Sequence, residues 1–234
     1  MTQYLKNISF TVDPSSIFEV KDFFEKVFIE VGYKNKEGIN RFYLDIIGLK
    51  WFFNFIEETD NAIYLKQALV LNKFDKNIIN EFIKKKIELC NFETNENSSF
   101  ICLSKYFEYE AEEWLCVNDI NSRYIHKNAT WSYSIDFPKI HENENWNEFN
   151  KVIYLNLKEQ QSNIKYVFRL NIISPVYIQN KLTQINSFFT KGTIVIKFFD
   201  QKIIKDQIKK VFKKLNYKNN EHLIPYLSCY FENV

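Results

Sequence analysis

The sequence predicts an α+β protein built from two tandem copies of one unit, each an antiparallel sheet with one or two helices packed on it. Three observations carry this. The first is an internal repeat: residues 66–75 read KQALVLNKFD and residues 191–200 read KGTIVIKFFD. From 66 to 96 twelve positions are identical at an offset of 125, among them Asp75/Asp200, Asn91/Asn216 and Asn95/Asn220. Amphipathic periodicity fixes where apolar residues fall but does not demand identical polar ones, so the match reads as duplication. The second is apolar spacing that switches between strand period and helix period within each copy. The third is composition: 234 residues, 46% hydrophobic and 26% charged, fit a soluble globular chain with room for two small domains.

Taking the elements in order, ISFTVD at 8–13 alternates Ile8, Phe10 and Val12 against polar residues and predicts a strand, matched to WSYSID at 131–136. Residues 16–25 carry apolar residues at helical spacing and predict a short helix, with 26–33 open between helix and strand. Residues 40–48, 50–57 and 62–72 predict an antiparallel meander, with EETDN at 57–61 as a turn. Residues 76–90 predict the clearest helix, with Ile79, Phe82, Ile83, Ile87 and Cys90 inward. A last strand is expected at 99–107. In the second copy, residues 151–173 predict a hairpin turning at Ser162–Asn163. The resulting organisation is a first repeat at 1–108, a connector at 109–129 and a second repeat at 130–234. Trp114, Leu115 and Ile120 suit a connector that packs down.

Much chemistry is excluded. Only four glycines occur, and no two are close enough to cradle a phosphate, which removes Walker, Rossmann and nucleophile-elbow signatures. Cys90, Cys102, Cys116 and Cys229 match no zinc spacing and no compact disulfide framework, so four reduced thiols in a cytoplasmic protein are expected. His126, His141 and His222 form no metal or catalytic motif. The start MTQYLKNISF lacks a basic head and apolar run, and no stretch is apolar enough for a membrane span. Asp75 and Asp200 stand where each repeat's strand meets a basic helix, which predicts N-caps rather than a metal pair. No catalytic residue, metal or cofactor is expected.

Charge distinguishes the copies. Net charge is +2, but residues 201–218 carry +6, the matching 76–90 helix +2, and residues 108–148 carry −6. Tryptophans 114, 131 and 146 flank the acidic stretch. Acid with aromatics suits a protein interface, so Glu108, Glu110, Glu112, Glu113, Trp114, Glu142, Glu144, Trp146 and Glu148 are candidate contacts for a basic protein partner. The expectation is a non-enzymatic binding module, a cytoplasmic bacterial inhibitor, immunity or chaperone-type protein. The alternative is RNA or DNA binding through Lys205, Lys209, Lys210, Lys213 and Lys214. Against it stand three arginines in the whole chain and the small net charge.

Overall fold

Burial at every second residue marks the antiparallel hairpins of this computed structural model, which describes residues 3–11, 22–33, 36–58, 62–90, 102–103, 105–109, 130–139, 147–162, 164–217 and 223–234. Val27, Ile29 and Val31 are buried on one strand and Phe42, Leu44 and Ile46 on the next. Ile153, Leu155 and Leu157 with Phe168, Leu170 and Ile172 repeat the pattern at an offset of 126. Each such side chain gains about 1.5–3 kcal/mol on leaving water, which fixes the register of these four strands.

The chain divides into two compact units. Unit one holds residues 1–54, 67–112 and 181–190; unit two holds 55–66, 113–180 and 191–234. In unit one, β1 (Gln3–Phe10), β2 (Phe24–Tyr33) and β3 (Lys36–Gly48) are antiparallel neighbours. α1 (Leu49–Glu58) and β4 (Ala62–Leu71) follow, with residues 55–66 belonging to unit two; the end of β4, residues 68–71, lies parallel to β3 in unit one and leads to α2 (Lys76–Cys90). The two-residue β5 (Glu108–Tyr109) pairs with β3. In unit two, β6 (Trp131–Asp136), β7 (Asn150–Glu159) and β8 (Lys165–Ile173) are antiparallel. α3 (Pro175–Leu182), the parallel strand β9 (Ser187–Ile196), α4 (Gln201–Lys214), α5 (Leu223–Tyr230) and β10 (Glu232–Asn233) complete it.

Register shows the duplication. Val27 pairs with Leu44 and Ile153 with Leu170. Ile46 pairs with Leu69 across the parallel ladder, and Ile172 with Ile194. The Gly48 amide donates to the Phe23 carbonyl at 2.7 Å, and the Ser174 amide to the Phe149 carbonyl at 2.9 Å. Phe74 packs edge-on against Phe10 and Phe23 at 5.9 and 5.5 Å; Phe199 does the same with Phe137 and Phe149 at 6.4 and 5.8 Å.

Each unit is completed by a piece of the other copy. In unit one Phe189 meets Phe82 and Tyr106, ring centroids 5.2 and 6.0 Å apart, and the Thr190 hydroxyl donates to the Ala68 carbonyl at 3.3 Å. In unit two Tyr64, the residue matching Phe189, stacks on Tyr230 at 6.1 Å and donates its hydroxyl to the Tyr230 carbonyl at 2.6 Å.

Several expectations are corrected. The sheets are mixed rather than antiparallel, because residues 49–58 form a helical crossover where a strand at 50–57 was expected. Leu49, Phe52 and Ile56 are its buried residues, at helical and not alternating spacing. A crossover helix returns the chain parallel to the strand before it. Residues 24–25 open β2 instead of closing a helix over 16–25, and 26–33 is strand; 16–21 lie outside the described residues. The first strand is Gln3–Phe10, beginning earlier than the expected 8–13, of which 12–13 lie outside the described residues. Ile8 opposes Ile29 and Ile135 opposes Leu155, so Ile8 matches Ile135 and not Trp131. Of the strand expected at 99–107, residues 99–101 and 104 lie outside the described residues, and 102–103 with 105–107 make a turn ahead of β5: Phe107 N–H donates to the Leu103 carbonyl at 2.9 Å, as Phe231 N–H donates to the Leu227 carbonyl at 2.7 Å. The helix at 76–90 has the expected bounds, with Ile79, Ile83, Ile87 and Cys90 buried and Phe82 partly so.

The cysteine expectation fails. Cys90 and Cys102 form a disulfide, with Cα atoms 5.5 Å apart. The last turn of α2 buries Cys90 fully, and the 102–103 turn brings Cys102 to it. Docking of two elements decides this pairing, and sequence spacing does not register it.

Candidate interaction surfaces

Both strand-to-helix junctions are caps. The Asp75 carboxylate accepts from the amides of Asn77 and Ile78 at 2.9 and 3.3 Å; Asp200 accepts from Lys202 and Ile203 at 2.7 and 3.2 Å. Each satisfies first-turn donors and places negative charge at a helix N-terminus. No group of three or more His, Cys, Asp or Glu that could hold a metal occurs among the described residues.

Of the acidic candidates, Glu108 and Glu148 are described and both are half-buried. Glu108 accepts a hydrogen bond from the Tyr43 hydroxyl across the β3–β5 pair. Its counterpart Glu232 approaches Arg169 at 3.8 Å across the β8–β10 pair, an exposed ion pair where unit one has a half-buried hydrogen bond. Glu110, Glu112, Glu113, Trp114, Glu142, Glu144 and Trp146 lie outside the described residues, as do the three histidines. Trp131 does not flank a surface: it is 2% exposed and packs against Tyr166 at 6.1 Å.

The lysines of α4 are fully described. Ile204, Gln207, Ile208, Val211 and Phe212 form its buried face. Lys202, Lys205, Lys209, Lys210, Lys213 and Lys214 are exposed. Lys209 reaches Asp206 at 3.2 Å, and Lys205 lies 5.4 Å from the centre of the Phe137 ring. Tyr133 stacks on Phe212 at 4.4 Å beside Tyr217; burial and Tyr217 raise its pKa, while Lys209 opposes the shift. On α2, Lys86 is the lysine drawn inward. Its ammonium sits 4.4 Å from Tyr106 and 5.3 Å from Phe82, and burial, with Lys85 second, lowers its pKa.

One surface feature had no signal in the sequence reading. Phe24 is 42% exposed, and its ring lies 4.8 Å from Trp51. The matching pair in unit two is polar: Asn150 donates to the Tyr177 hydroxyl at 3.2 Å. Recognising it requires knowing that 49–58 is a helix.

No helix among the described residues is long and apolar enough to cross a membrane. Comparison with curated proteins and with solved structures finds no match. The sequence model of the family described as Immunity protein 8 matches twice, over residues 5–114 and 127–232. Both matches span one repeat, from its first strand to its last two-residue strand, and together they cover nearly the whole chain; the chain therefore belongs to the Immunity protein 8 family.

Proposed function

We propose that this chain neutralises a bacterial protein toxin by binding it, without catalysis. The observation that supports this reading is the double match to an immunity-protein family. On this reading the acidic stretches 108–113 and 142–148, with Trp114 or Trp146 as anchor, meet a basic toxin surface. Charge complementarity there acts mainly on association rate and fades with salt, since the Debye length is about 8 Å at physiological ionic strength.

The test is co-expression with a toxin encoded next to this chain's gene. Growth should be rescued by the chain and lost again with Glu110→Lys/Glu112→Lys/Glu113→Lys, while the variant keeps the parent's circular dichroism. Rescue by a folded triple variant would remove the acidic face from the proposal. Failure of the parent chain to protect, or to hold the purified toxin after nuclease treatment, would remove the function.

A further inference from the structure

α2 and α4 are the same helix twice, and each shows what the other's fold requires. Three buried positions match in kind, Ile79/Ile204, Ile83/Ile208 and Ile87/Phe212, while buried Gln207 and Val211 stand where α2 carries the partly buried Phe82 and Lys86. Their outer positions do not. Asn77, Asn80, Glu88 and Leu89 on α2 stand where α4 carries Lys202, Lys205, Lys213 and Lys214, and lysines 209 and 210 match Lys84 and Lys85. Packing does not ask for the change, since all six α4 lysines are exposed. The change has a cost, because lysines three and four apart on a helix repel one another. Asp206 is the one acidic residue within α4 and already reaches Lys209. From Lys202 to Lys213 the charges run about 16 Å along the axis. Just ahead of the Asp200 cap stands Phe198, 52% exposed.

We propose that this lysine face is a docking surface for an acidic protein surface, a contact separate from the acidic stretch of the toxin-binding reading, on which it rests for the partner being a protein. Charge complementarity asks for an anionic occupant, since the face is a run of cations with a single anion among them, and the carboxylates of an acidic protein surface satisfy this. With lysine and no arginine, the face offers point-charge contact to an anion and no bidentate fork for either a carboxylate or a phosphate. Family membership points to a protein and not to a polynucleotide.

The experiment uses the full chain and two labelled probes of similar charge, a sixteen-residue polyglutamate peptide and a sixteen-nucleotide oligothymidine, read by fluorescence anisotropy at about 0.15 M salt, where screening is physiological. The chain should bind the peptide at least as tightly as the oligonucleotide. Lys202→Asn/Lys205→Asn/Lys213→Glu, which installs residues that α2 already tolerates, should weaken peptide binding at least tenfold. A second variant, Lys209→Gln/Lys210→Gln, should weaken it as well, and Lys84→Gln/Lys85→Gln on α2 should not. Tighter binding of the oligonucleotide would overturn the choice of a protein surface. Unchanged peptide binding in both folded α4 variants would overturn the site. Neither result depends on toxin protection, so the function can stand if this surface falls.

Discussion

The two units solve the same packing problem and then treat solvent differently. Their strand registers coincide, both helices that follow the parallel strand are capped by aspartate, and both use a phenylalanine clasp around residue 74 or 199. Where side chains face water the agreement ends. Unit one shows Phe24 against Trp51 where unit two has a hydrogen-bonded Asn150 and Tyr177. One buried difference stands beside these: unit one fastens α2 to the following turn with a disulfide, and Leu215 and Tyr226 occupy the matching positions in unit two. Most of the buried set is shared because the fold needs it, and the exposed set is free to take on separate tasks.

Exchanging residues between matching positions tests that division, and the largest effect is expected where backbone is involved. Gly192 has φ +55°, and a Cβ there would sit 2.7 Å from the Tyr230 carbonyl oxygen, whereas unit one carries Gln67 at the matching position. Gly192→Gln should lose about 3 kcal/mol or more in urea unfolding, from left-handed strain plus collision with backbone. Wild-type stability in this variant would show that the two strands are interchangeable after all.

Removal of the disulfide comes next. Cys90→Ala/Cys102→Ala should cost about 3 kcal/mol, the value expected for closing a loop of this size. Alkylation with mass spectrometry should leave Cys90 and Cys102 unmodified until reductant is added. The caps follow: Asp75→Ala and Asp200→Ala should each lose about 1 kcal/mol, and the asparagine variants only a few tenths. Unequal losses between the two sites would break the equivalence of the junctions. The smallest effect is expected from Phe24→Asn/Trp51→Tyr, which gives unit one the polar pair of unit two. Thermal unfolding should place it within about 0.5 kcal/mol of the parent, as for a surface change. A larger loss would mean the aromatic pair holds the fold.

How far the sequence could be read depended on the range of the interactions involved. The helix at 76–90 was legible because its period, its Asp75 cap and its copy at 201–214 agree. The hairpin of β7 and β8 was legible for the same local reason. Residues 49–58 were not, since Trp51, Phe52, Phe53 and Phe55 favour extended backbone locally, and only burial of Leu49, Phe52 and Ile56 overrides that preference. The 102–107 turn was misread because Leu103 and Phe107, four apart, also fit a strand that alternates. The Cys90–Cys102 pair, and the close approach at Gly192, depend on elements meeting in space, which no window of sequence contains. Of the acidic candidates, the chain's pattern could not reveal that Glu108 is engaged by Tyr43.

The reciprocal completion of the units has a consequence for synthesis. Unit one begins at the N-terminus yet includes residues 181–190, so the ribosome must translate most of the second repeat before the first can close. At about 5–20 residues per second, the wait between residue 112 and residue 190 is on the order of ten seconds. Through that interval the edge of β4 that later receives Thr190, and the rings of Phe82 and Tyr106 that later receive Phe189, await their partners. Unit two draws on residues up to 234, so both units close only after most of the second repeat has been made, rather than folding in turn like beads along a string.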